Sequence, residues 1–311
     1  MSESALYGAA ELESLVHADS VLDGAFECLD RIWSHPDALV QRRLSESEYR
    51  TRQLERHLSR QEPAMYSHLK DQMGDHPLPD IDHGCGIIMD ALSVREGFQL
   101  AADLPGKHEW TVDLRWAAVE RLPTETKFVC QEWFGANGPS AVNRDDFQYV
   151  GDMEVPQLPG TDPEFVWTRF PDKRVESAMQ GNYVIEELTS IQSDVQVLLE
   201  NVINESVHDE FLISSDHGYV NHHGGNPYVL TDDLEDLLGE KFSARYAEVD
   251  NSYAFKQLED ADIIERVDDH YVIRGHFDPT TRGASNKVRH GGLSLPECMT
   301  PVLRIDTKGG N

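Results

Sequence analysis

Apolar residues in the first quarter of the chain recur at helical spacing: Ala10, Leu12, Leu15 and Val16, then Val21, Leu22, Ala25, Phe26 and Leu29. A period near 3.6 predicts amphipathic helices, and Pro36 breaks the run. From Asp37 to Gln61 the pattern turns charged and carries Arg42, Arg43, Arg50, Arg52, Arg56 and Arg60. This predicts a solvated helix whose arginines meet Glu46, Glu48 and Glu55 one turn away. The competing reading is a docking surface for a protein partner or for nucleic acid. Pro63 and the stretch Gly74 to Pro79 close an N-terminal helical region of residues 1–78.

The rhythm then changes. Cys85-Gly-Ile-Ile-Met89 is a short apolar run, Asp90 follows it, and Val94 to Ala102 returns to helical spacing. That predicts strand, acid at the strand end, helix. Trp110 to Val119 predicts a second strand, and Leu122-Pro-Thr-Glu-Thr126 opens an apolar helix running to Phe134. Phe147 to Met153 and Phe165 to Phe170 are further strand candidates, as is Tyr183-Val-Ile185 with Glu186-Glu187 after it. Leu188, Ile191, Val195, Leu198, Leu199, Val202 and Ile203 mark an amphipathic helix, with Thr189 and Gln192 spaced as a capping box at its start. Phe211-Leu-Ile-Ser-Ser-Asp216-His217-Gly218 predicts a buried strand ending in a tight turn. Alternating strands and helices point to an α/β fold with a mostly parallel central sheet. Its core takes residues 79–230 and 271–311. Residues 231–270 are very acidic and predict an inserted cap, with helical pieces near Leu234 and Tyr253 and a hairpin over Glu265 to Arg274.

Composition narrows the partners. Fifty-six acidic residues face 27 basic ones, a formal charge of -29, spread along the chain. With 39% apolar residues in periodic runs the chain is not a disordered acidic tail. The balance predicts a protein of a salt-rich, haloarchaeal cytoplasm, since molar salt shortens the Debye length to about 3 Å. It argues against non-specific duplex binding, which rests on Lys and Arg. Cys28, Cys85, Cys130 and Cys298 lie far apart, against a zinc ribbon or a disulfide framework. No apolar run reaches the roughly 20 residues of a bilayer span, and the N-terminus has no signal-peptide pattern.

The candidate chemistry sits at the predicted strand ends. Asp216 and His217 are adjacent metal-capable side chains on a turn, where open α/β sheets collect ligands. Asp90 ends another strand. Thr126 stands at a helix N-terminus, where backbone N–H groups favour an anion and lower a hydroxyl pKa. His290 precedes Gly291-Gly292, a turn that lets backbone approach a ligand closely. Asp82-His83 precedes its strand and belongs to the opposite end of the sheet. His222 and His223 read as loop residues.

Four segments together resemble the PglZ family of the alkaline phosphatase superfamily: Ile87-Ile-Met-Asp90-Ala-Leu, Pro123-Thr-Glu-Thr126, Ser214-Ser-Asp216-His217-Gly218 and His290-Gly-Gly-Leu-Ser-Leu-Pro-Glu297. The resemblance covers residues 80–230 and 275–311. It implies an alkaline-phosphatase-like three-layer sandwich with one or two divalent ions, Zn²⁺ or Mn²⁺, at the strand ends. It implies hydrolysis of phosphate esters, with nucleotides or nucleic acid as the substrate class suggested by the family's association with phage-defence systems. Asp90, Asp216 and His217 would bind the metal, Thr126 would be the metal-activated nucleophile, and His290 would belong to a second metal site. One departure stands out. The superfamily supplies an Asp and a His for the second site before the Ser-Asp-His-Gly strand, and here that region runs from Glu186 to Asp194 without a histidine until His208. Glu186 or Asp194 would have to substitute. The alternative is a catalytically degenerate subunit that binds a protein partner, with the N-terminal helices as its docking face.

Overall fold

The computed structural model describes residues 20–35, 38–39, 41–151, 156–174, 184–222, 228–250, 252–279 and 288–308. The apolar repeat from Ala10 to Val16, Tyr183, and the His223-Gly224-Gly225 turn lie outside the described residues, as do the side chains of residues 184–189, Glu186 among them.

The short apolar runs form the sheet. Its strands are β1 (Cys85–Met89), β2 (Thr111–Ala118), β3 (Phe147–Val150), β4 (Glu164–Thr168), β5 (Glu210–Ser214) and, last in chain order, β11 (Met299–Asp306). Across the sheet the order is β2-β11-β5-β1-β4-β3. β1 pairs in parallel with β4 and β5, β3 pairs in parallel with β4, and β11 runs antiparallel to both β2 and β5. The molecule is therefore mixed α/β with a central, mostly parallel six-stranded sheet. Every residue of β1 and β4 is buried, as a central strand covered on both faces requires. Alternation sorts their side chains: Ile87, Met89, Val166 and Ile213 join one apolar cluster, and Ile88, Phe165, Trp167 and Leu212 join another.

Helices α1 (Val21–Trp33), α2 (Gln41–Gln61) and α3 (Met65–Asp71) share the first cluster with α4 (Val94–Lys107) and α6 (Val184–Glu205); α5 (Thr126–Phe134) packs into the second. Ser93 caps α4 in a full capping box with Glu96. The charged helix α2 differs from its sequence reading. Glu48 and Glu55 are buried, not surface partners of the neighbouring arginines. Glu48 Oε1 and Oε2 lie 2.8 and 2.9 Å from the guanidinium of Arg95, itself buried on α4. Glu55 accepts hydrogen bonds from the Tyr66 hydroxyl at 2.8 Å and from the Leu295 amide at 3.0 Å. One ion pair and two hydrogen bonds thus fix α2 to the core through its acids.

Val184 and Ile185 belong to α6, not to a strand; in the sequence they stand at helical spacing from Leu188, so the helical period continues through them. Thr189 then lies inside the helix and cannot be its N-cap. Residues 232–273 form α7 (Asp232–Lys241), β7 (Tyr246–Glu248), α8 (Tyr253–Asp260), β8 (Ile264–Val267) and β9 (His270–Ile273). The three strands make an antiparallel sheet in the order β7-β9-β8, with a separate apolar cluster around Leu238, Phe255, Leu258 and Tyr271. The insertion is clamped to the rest by Arg245, which is 0% exposed. Its Nε donates to Glu297 Oε1 at 2.8 Å and its Nη2 to the Gly275 carbonyl at 2.6 Å. No described helix is long and apolar enough to cross a membrane.

Candidate metal centre

Three parallel strands that lie side by side, β5, β1 and β4, each run out into an acidic residue at the same end of the sheet: Asp216, Asp90 and Asp172. After β1, Ala91 takes the left-handed conformation at φ 61 and turns its N–H toward Asp216, whose Oδ1 accepts it at 3.2 Å. The Asp216 Oδ1 also accepts from the His217 amide at 3.1 Å and the Ser215 hydroxyl at 3.3 Å. The two strand ends are thus tied through one carboxylate oxygen.

His217 is oriented by the backbone of the next residue. Its Nδ1 lies 3.0 Å from the Gly218 carbonyl and donates to it, which leaves the Nε2 lone pair free to accept. That Nε2 lies 3.6 Å from Asp216 Oδ2 and 3.7 Å from Asp90 Oδ1. One ligand atom from each of Asp90, Asp216 and His217 falls within 4.8 Å of the others, and all three residues are buried. Asp216 Oδ2 is buried and, among the described residues, accepts no hydrogen bond. A desolvated carboxylate oxygen with nothing to compensate it is costly. Two carboxylates and one imidazole fit a divalent cation such as Zn²⁺ or Mn²⁺, and a cation there would satisfy Oδ2 and the Nε2 lone pair together. The donor set alone names no single metal.

Thr126, the first residue of α5, completes the group. Its hydroxyl donates to Asp90 Oδ1 at 3.0 Å and lies 3.4 Å from His217 Nε2. Thr124 has a different role: its hydroxyl accepts from the Gly291 amide at 2.8 Å and donates to the Gly292 carbonyl at 3.2 Å. This lashes the start of α5 to the His-Gly-Gly segment. Strands β6 (Val220–Asn221) and β10 (Val288–Arg289) pair antiparallel just outside the site and bring His290 beside His217. The two imidazoles stack with centroids 4.4 Å apart and planes 20° from parallel.

His290 stands outside the three-residue group and has its own acidic partners. Its Nδ1 is 3.3 Å from Glu125 Oε1 and its Nε2 3.8 Å from Asp172 Oδ1. Burial opposes its protonation, but the hydrogen bond and charge of Glu125, with the charges of Asp172 and Glu297, carry the imidazole up to about 9. Burial likewise pushes the Glu125 carboxyl up, and the hydrogen bond and charge of His290 bring it below its ordinary range.

Asp90, Thr126, Asp216 and His217 therefore lie together, with His290 adjacent. Of the substitutes for a second site, Asp194 on α6 is ion-paired with Arg174 at 3.3 Å, and the Glu186 side chain is outside the described residues. The acid beside His290 is Asp172, which sequence reasoning missed. The available signal was its place just after the strand candidate Phe165 to Phe170, and the sequence alone does not set that strand beside β1. Arg245 and Glu297 were missed as a pair. Glu297 accepts from the Gly292 amide at 2.8 Å and the Ser294 hydroxyl at 2.5 Å, so it fixes the turn after His290 while holding the insertion. Gly218 is needed for close approach: a Cβ there would come within 2.1 Å of the Pro296 carbonyl oxygen. His83 bonds Asp82 and Glu210 near the start of β1 and β5, away from these groups. Compared with known proteins, the chain matches no protein-family model and none of the curated proteins.

Proposed function

We propose that the chain is a metal-dependent hydrolase of phosphate esters with Thr126 as its nucleophile. The observation that carries this is the Thr126 hydroxyl, 3.0 Å from Asp90 Oδ1 and 3.4 Å from His217 Nε2, at the edge of a buried Asp-Asp-His group. Asp90, Asp216 and His217 would hold a divalent cation, which when bound would supply Lewis acidity toward the hydroxyl and the phosphoryl oxygens. Asp90 Oδ1 orients the hydroxyl and stands where its proton can go. The N-terminal turn of α5 attracts the phosphate anion. Glu125 and Asp172 favour the protonated form of His290, which stacks on His217. The resemblance to the PglZ family and its alkaline-phosphatase-like sandwich supports the same reading, since its four segments are the ones whose residues meet here.

The test is release of nitrophenol from aryl phosphate mono- and diesters in molar KCl with Zn²⁺ or Mn²⁺. Turnover that disappears in Thr126→Ala and in Asp216→Asn supports the assignment; turnover unchanged in both rejects it.

A second reading, a metal-binding protein that turns nothing over, is favoured by one observation. His290 and its neighbours Glu125 and Asp172 are engaged with one another, and one imidazole is all this cluster contributes among the described residues. Metal binding lost in Asp216→Asn, with no hydrolysis of either ester class by the unaltered chain, would favour that reading.

A further inference from the structure

The six-stranded sheet has two unlike edges. On one side it ends in β3, which is 4 residues long. A very short edge strand discourages further pairing. The other edge is β2, 8 residues long and paired along its whole length with β11. Among the described residues nothing pairs with its outer side, so a row of backbone N–H and C=O groups faces away from β11. The side chains of β2 alternate. Val112, Leu114 and Trp116 lie partly buried against the first apolar cluster, whereas Thr111, Asp113 and Arg115 are exposed.

Charge on an open edge usually keeps strands apart. Here the two charges have opposite sign and stand one on each side of Leu114. Arg115 Nε lies 3.0 Å from Asp113 Oδ2, and with both side chains more than half exposed this pair contributes little within one copy. A second copy changes that. A two-fold axis perpendicular to the sheet sets β2 antiparallel to itself, and residues directly opposite one another then share a face. With the axis at Leu114, that residue meets its own counterpart, Val112 meets Trp116, and each Asp113 meets the Arg115 of the other copy. Moving the axis to Asp113 or to Arg115 sets like charges directly opposite, which is destabilising. It also shortens the overlap, because Leu114 stands at the middle of Thr111–Ala118. Charge and strand length thus select one register. The β11 ladder extends the charge pattern: Arg304 is opposite Asp113, so Arg304, Asp113 and the other copy's Arg115 form a row of alternating sign.

We infer that β2 is an interface with a second copy of this chain, in which two sheets join edge to edge across a two-fold axis at Leu114. The interface is independent of the metal centre, whose acids follow β5, β1 and β4. The test is analytical ultracentrifugation of the full chain in molar KCl. Salt of that strength shortens the Debye length to about 3 Å, which screens the charge of -29 on one copy from that on the other and leaves charges in direct contact attractive. A dimer is expected. Asp113→Arg alone and Arg115→Asp alone each set like charges opposite at both symmetric positions, and each should weaken the dimer about tenfold or more. The two variants complement one another, because the arginine introduced in one meets the aspartate introduced in the other. Their equal mixture should recover the dimer as a heterodimer, which also shows that both variants fold. A monomeric wild type, a dimer that neither substitution weakens, or a mixture that stays monomeric overturns the interface.

Discussion

The candidate site depends on single atoms. Asp216 divides its work: Oδ1 holds the Ala91 and His217 amides, and Oδ2, with no hydrogen bond among the described residues, is the oxygen the proposed cation would take. Asp216→Asn keeps the shape but turns one oxygen into an N–H₂ donor, so Mn²⁺ affinity measured by titration should fall by about 100-fold or more. Thr126→Ser keeps a hydroxyl and should retain measurable turnover where Thr126→Ala retains none. Gly292 is as constrained as any ligand, because a Cβ would lie 2.7 Å from Arg245 Nε, Arg245 Nη2 and the Ile273 carbonyl. Gly292→Ala should lower stability by about 1–3 kcal/mol in denaturant titration, as overpacking does. Much of this was legible in the sequence, since Asp90, Thr126, Asp216 and His217 each end or begin an element the pattern predicts. Asp172 was not, because nothing local says that β4, rather than a strand near Tyr183, lies beside β1. Arg245 was not, because a lone arginine in an acidic stretch reads as solvated until its distant partner Glu297 is known.

Elements are joined by buried acids. Glu55 on α2 holds the Leu295 amide at the start of α9 (Leu295–Cys298), the short helix that follows His290 and its glycines. Its Oε2 lies 3.0 Å from His276 Nε2. Burial drives the Glu55 carboxyl up from 4.5 to about 7, against the hydrogen bonds of Tyr66 and Leu295 and the charge of Arg245. The folded form therefore holds a proton that the unfolded chain releases, and the stability this confers is complete below about pH 4.5 and lost as pH rises through 7. Glu55→Gln removes that dependence. The unfolding free energy of wild type minus that of Glu55→Gln should fall by about 3 kcal/mol between pH 4.5 and 8. A flat difference would show that the carboxyl does not titrate in this window. Arg245→Met should cost about 3–5 kcal/mol, the expense of stranding Glu297 without its partner, and should loosen the insertion first in hydrogen exchange. At this scale periodicity is legible in the sequence and depth is not. The hairpin over Glu265 to Arg274 and the helix beginning at Thr126 appear as expected, while α2 looks solvent-facing in sequence because its arginines outnumber the two glutamates that turn inward.

For the whole molecule, charge and chain order matter most. A formal charge of -29 sets like charges against one another over the whole surface. Raising KCl from 0.1 to about 2 M should increase the thermal midpoint, and a midpoint that falls would contradict an electrostatic origin. The alternating strands and helices made the parallel sheet legible. The position of β11 was not, because its pairing with β2 and β5 is a property of the assembled sheet. That strand lies inside the sheet and follows every other described strand in the chain. On the ribosome, then, β2 and β5 emerge long before the element that bridges them, and the Gly218 amide waits for the Glu297 carbonyl. Nascent chains halted short of residue 297 should capture no Mn²⁺, however complete their Asp-Asp-His set already is.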